Sequence, residues 1–140
     1  MDNADARNYA VNQLVSVWGY DRPAEAADWV SALPDDVLRG RSAATLMRTW
    51  SATEPDEAAR WLQEFAPARV MDSAVEQFIR NTMFDDPARA MAFVERLVDP
   101  KRRRNLVLSA GRVWAGQSPE QARAYFQTSS WDAAIRNRFL

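Results

Sequence analysis

Along most of the chain, apolar residues recur at spacings of three and four, the period of an α-helix with one buried stripe. Ala26, Trp29, Val30 and Leu33 form one such stripe, and Ala58, Trp61, Leu62 and Phe65 form another. Ala43, Leu46, Met47 and Trp50, and then Val75, Phe78 and Ile79, continue the pattern on further segments. No stretch sustains period-two alternation with a β-branched bias, so no sheet is expected.

Prolines divide these stripes regularly. Pro23, Pro55, Pro87 and Pro119 are each 32 residues from the next. Three residues after them stand Ala26, Ala58, Ala90 and Ala122, and three further on Trp29, Trp61, Phe93 and Tyr125. Five residues before the prolines come Trp18, Trp50, Thr82 and Trp114; four before those come Leu14, Leu46, Phe78 and Ala110. A small residue and an aromatic ring therefore return in register, which marks an internal repeat.

Each repeat reads as two helices. Proline at a first helical position loses only a donor that lacked a partner anyway, and Glu54, Asp86 or Ser118 before it can cap the helix. Ser118 with Gln121 fits a capping box. These helices should break at Leu33-Pro34-Asp35, Ala66-Pro67 and Asp99-Pro100. Second helices then follow at 36–50, 68–83 and 101–115, with Gly19, Ser51-Ala52-Thr53, Asp85-Asp86 and Gly116 as stop signals. An opening helix at 5–18, a short one at 119–128 and a closing one from Trp131 complete the frame. The expectation is an all-α chain, 1–140 as a single domain, with 131–140 capping the stack or marking where a longer array was cut.

The segment Tyr20-Asp21-Arg22-Pro23-Ala24-Glu25-Ala26-Ala27-Asp28-Trp29 resembles the second helix of tetratricopeptide repeats, where a short turn leads to a small residue and then an aromatic. That resemblance implies a right-handed α-α superhelix of about four helix-turn-helix units, whose curved surface binds peptides or proteins. This chain departs from the family in repeating at 32 residues, against about 34, and in having only Gly111 where a first-helix small residue would match. The basic clamp of carboxylate-binding members does not carry over, because Lys101 is the only lysine.

Composition narrows the chemistry. The 18 basic and 19 acidic residues leave a net charge of −1, which argues against a dedicated nucleic-acid or anionic-membrane binder. There is no Cys and no His, so thiolate and imidazole metal sites, cysteine nucleophiles and Ser-His-Asp arrangements are excluded. No phosphate-cradling glycine loop is present and no cofactor is expected. Asp35-Asp36 and Asp85-Asp86, two pairs of adjacent aspartates, stand where caps are needed, so a catalytic role is not expected of them. Without a membrane span or a signal-peptide pattern, a cytoplasmic chain is expected. The excess of arginine over lysine suggests a GC-rich bacterial source.

The aromatic registers read as core. The candidate site is a set of arginines: Arg48, Arg80 and Arg112 share one repeat position two residues before the Trp50, Thr82, Trp114 register, and Arg41 lies on the same helix as Arg48. Helical geometry turns Arg48 away from the buried stripe, so a ladder of guanidinium groups along one surface is expected, suited to carboxylates or phosphates. The same side chains can instead pair with carboxylates of neighbouring helices. Arg7, Arg39 and Arg103, with Met71 breaking the register, lie nearer the apolar stripe and read as a snorkelling edge. Lys101-Arg102-Arg103-Arg104 reads as a solvated face. The function expected is a non-catalytic scaffold for an acidic protein or peptide, with repeat ends open to self-association. The alternative is a nucleic-acid binder using the ladder on phosphates.

Overall fold

The computed structural model describes residues 3–140. Among them the regular structure is entirely helical: α1 (Asn3–Asp21), α2 (Pro23–Ser31), α3 (Asp36–Thr53), α4 (Pro55–Gln63), a 3₁₀ turn (Arg69–Met71), α5 (Asp72–Thr82), α6 (Pro87–Val94), α7 (Pro100–Gln117), α8 (Pro119–Thr128) and α9 (Ala133–Arg136). Long helices alternate with short ones. Long helices pack side by side, α1 on α3, α3 on α5 and α5 on α7, and each of α2, α4 and α6 packs on the long helix before it and the one after it.

The four short helices α2, α4, α6 and α8 all begin at the prolines of the 32-residue register. The residue before each proline has one conformation: φ −136°, ψ 72° at Arg22; −137°, 68° at Glu54; −144°, 78° at Asp86; −144°, 76° at Ser118. Its N–H donates to the carbonyl four residues back (Trp18, Trp50, Thr82, Trp114; 2.7–2.8 Å), and its carbonyl accepts from the N–H four residues on at 3.0 Å. One residue thus closes one helix and opens the next, while the following proline has no N–H to leave unpaired. At Asp86 the long helix first loosens into a turn over Met83-Phe84-Asp85.

This hinge changes three expectations. Asp86 accepts from Arg89 N (3.1 Å), but neither Glu54 nor Ser118 caps with its side chain, so the Ser118–Gln121 box does not form. Glu54 instead accepts from Trp50 Nε1 at 3.1 Å. Gly19 and Gly116 do not stop their helices: α1 runs on to Asp21 and α7 to Gln117. Gly19 is buried where a Cβ would stand 2.9 Å from Leu46 Cδ1, so it serves the packing of α1 on α3. Gly40 is tighter still, since a Cβ there would lie 2.1 Å from the Val70 carbonyl oxygen.

Side-chain caps do open other helices, Asp35 for α3, Asp99 for α7 and Asp132 for α9, each accepting from the N–H three residues on at 3.0 Å. The equivalent register position in the middle of the chain is Pro67, and there the 3₁₀ turn delays α5 until Asp72 rather than 68. Asp72, only 3% exposed, accepts from Val98 N (2.9 Å) and Asp99 N (2.8 Å), fastening the α6–α7 connection to the start of α5. The closing helix α9 spans four residues rather than the whole stretch from Trp131. Beyond it Phe139 stacks on Phe126, with ring centroids 4.3 Å apart, and fills the space beside Gly111.

Buried apolar residues from Val15 to Ile135 form one continuous cluster. Ring pairs recur in it, Trp18 with Trp29, Trp50 with Trp61 and Trp114 with Tyr125, at 5.3–6.1 Å between centroids. Where Thr82 takes the tryptophan position, Phe78 meets Phe93 at 4.4 Å instead. Leu14, expected inside with Leu46, Phe78 and Ala110, is 50% exposed, because no helix lies in front of that side of α1 among the described residues.

Trp61 joins several of these contacts. It is 9% exposed, packs on Trp50 and Phe65, and donates from Nε1 to Ser31 Oγ at 2.8 Å. Trp61→Ala is therefore expected to lower unfolding stability by about 3–5 kcal/mol, measured by urea titration. A loss below about 1 kcal/mol would show that this ring is not part of the core.

Candidate functional site: an arginine-lined cleft across the long helices

On α3, Arg41, Ala44, Thr45 and Arg48 follow one another at spacings of three, one and three, which places them on one face of the helix. Side-by-side packing sets this face beside Asn12 of α1, beside Ser73, Glu76 and Gln77 of α5, and near Arg102 of α7. These residues line a cleft of about 360 Å³. Three guanidinium groups and a single carboxylate border it, so its field favours anions.

The arginines differ in how they are held. Arg102 Nη1 donates to Ser73 Oγ at 3.1 Å, and its Nε lies 3.6 Å from Glu76 Oε1. Arg80 donates from Nε to Glu76 Oε2 at 3.1 Å within α5. Glu76 is thus shared by two cations. Arg41 and Arg48 are exposed, and among the described residues their guanidinium groups make no hydrogen bond or ion pair. Asn12 adds a side-chain carbonyl oxygen that is buried and receives no donor among the described residues.

The expected ladder is therefore divided. Arg48 and Arg41 share the cleft, whereas Arg80 stands beside it, neutralised by Glu76. Arg112 is exposed but belongs to a different cleft of about 300 Å³, with Leu108, Arg138 and Phe139. Nothing in the Lys101–Arg104 run distinguishes Arg102 by sequence; its contacts with Ser73 and Glu76 of α5 do so. The rest of that run is not a uniform solvated face: Arg103 lies over the Trp131 ring at 4.5 Å and Arg104 is 3.8 Å from Asp132. Of the snorkelling register, Arg39 is half-buried, donating to the Leu33 carbonyl at 2.8 Å, while Arg7 is exposed.

Among the described residues no three carboxylates converge as a metal site would require. No helix there is long and apolar enough to cross a membrane. The fold defines an all-helical protein built of alternating long and short helices. No family model matches the chain, and neither a curated protein nor a solved structure matches it.

One titratable group stands apart, away from the cleft. Burial holds the Tyr125 hydroxyl well above its ordinary value of 10.0, reinforced by donation to Glu95 and opposed by the donation it receives from Trp131 Nε1 at 2.9 Å. The unfolded phenol ionises first, so the folded chain keeps this proton when the unfolded chain has lost it. The associated stability is present below the ordinary value and declines as pH rises beyond it toward the folded value. Between about pH 9 and pH 11 the urea midpoint of the native chain is expected to fall more steeply than that of Tyr125→Phe. Equal slopes would show that Tyr125 ionises alike in both states.

Proposed function

We propose that this chain is a non-catalytic helical-repeat scaffold, a right-handed α-solenoid of tetratricopeptide-like units, that binds an acidic segment of a protein or peptide across its long helices. The architecture is supported by the recurrence of one hinge conformation at Arg22, Glu54, Asp86 and Ser118, and by the ordered contacts of each helix with its neighbours. Repeated units of this kind stabilise one another and present an extended surface.

The observation that carries the binding reading is the pair Arg41 and Arg48. Two guanidinium groups without partners among the described residues border one cleft, and arginine suits bidentate contact with carboxylates. Phosphate recognition by a continuous ladder loses support with Arg80 paired to Glu76 and Arg112 in another cleft.

A fluorescein-labelled glutamate-rich peptide and a labelled single-stranded oligonucleotide, titrated separately by fluorescence anisotropy, test this reading. The native chain is expected to bind the peptide, with Arg41→Glu/Arg48→Glu weakening it at least about tenfold, or about 1.4 kcal/mol, and Arg112→Glu leaving it within about twofold. Absence of peptide binding, or tighter oligonucleotide binding with a steep salt dependence, would overturn it.

A further inference from the structure

Each long helix after α1 buries one row of residues at the same register position. On α3 the row is Ser42, Leu46 and Thr49; on α5, Ala74, Phe78 and Asn81; on α7, Leu106, Ala110 and Val113. Its first two members are buried in all three helices and its third is half-buried. Asn81 shows which way the row faces, since its Nδ2 donates to the Met47 and Arg48 carbonyls (3.2 Å each) and to Ser51 Oγ (2.9 Å) of α3. The same register on α1 holds Ala10, Leu14 and Val17. There Leu14 is 50% and Val17 72% exposed, with Tyr20, 79% exposed, beside them.

The flanks of this row are informative. Arg7, Ala10, Leu14, Val17 and Asp21 are spaced three, four, three and four, the seam spacing of paired helices. Between Arg7 and Asp21 the helix carries no charged residue. Arg7 and Asp21 are exposed and equidistant from Leu14, and Asp21 makes a long contact to Arg22 Nε at 3.8 Å. Two such helices laid antiparallel about Leu14 would set Ala10 near the partner's Val17, and Arg7 near the partner's Asp21, twice over. The opposite end of the chain cannot serve as the mate in the same way, because Trp131, Ile135 and Phe139 already pack over α7 and α8.

We propose that the outer face of α1 is a self-association surface, on which a second copy of this chain docks α1 against α1 in an antiparallel, two-fold arrangement. It continues the packing used between successive long helices and satisfies the self-complementarity that a two-fold contact demands. One helix face is small against the ~1,600 Å² of a typical stable interface, so a dimer in fast exchange is expected, with a dissociation constant on the order of 10–100 μM.

Sedimentation equilibrium of the full chain over a concentration series tests this, with far-UV circular dichroism checking that each variant folds. The native chain is expected to shift from 15.9 kDa toward twice that mass. Val17→Glu, which adds two like charges to the seam, should raise the dissociation constant at least about tenfold. Arg7→Glu and Asp21→Arg should each weaken the dimer, and the double exchange should restore it. A chain that stays monomeric to about 1 mM, that assembles beyond a dimer, or whose dimer ignores Val17→Glu or is not restored by the double exchange, overturns the proposal.

Discussion

The structure depends on a single residue that belongs to two helices at once. At Arg22, Glu54, Asp86 and Ser118 the backbone N–H completes the helix behind and the carbonyl begins the helix ahead. Proline after each of them fixes φ for the new helix and disfavours helical geometry at the hinge residue itself. The chain therefore turns abruptly without a loop whose polar groups would need other partners. All four hinges have nearly the same φ and ψ, and at Arg22, Glu54 and Ser118, where the long helix runs straight into the hinge, the ring pairs Trp18–Trp29, Trp50–Trp61 and Trp114–Tyr125 form inside the bends.

Much of this was legible from four prolines. Their spacing located the starts of α2, α4, α6 and α8, and the aromatic and small residues in register marked the buried stripes. What failed were inferences from isolated signals. Gly19 looked like a stop but is a contact point for Leu46, and Ser118 looked like a cap although its backbone already does that work. Leu14 shares the register of the buried Leu46 and Phe78, yet it is half-exposed, because among the described residues no helix packs in front of it. A pattern reports what a residue is able to do, whereas the partner present decides what it does.

The candidate site shows the same division. Outward placement of Arg41, Arg48, Arg80 and Arg112 follows from helical periodicity, and all four are exposed. Which of them are free depends on contacts between residues that the sequence does not connect. Glu76 holds Arg80 through its own helix and draws in Arg102 from the next long helix, leaving Arg41 and Arg48 without an ion pair among the described residues. The cleft is lined by residues of the long helices α1, α3, α5 and α7.

The central claim is that the one-residue hinge, not merely the helices it joins, determines how the long and short helices pack. Urea unfolding tests it most directly when one glycine is inserted between Glu54 and Pro55 and, separately, between Pro34 and Asp35 in the longer α2–α3 connection. The hinge insertion separates the N–H and carbonyl that serve adjoining helices and shifts the Trp50–Trp61 pair out of register, so it should cost about 2 kcal/mol or more beyond the loop insertion and broaden the transition. Equal tolerance of the two insertions would contradict the account.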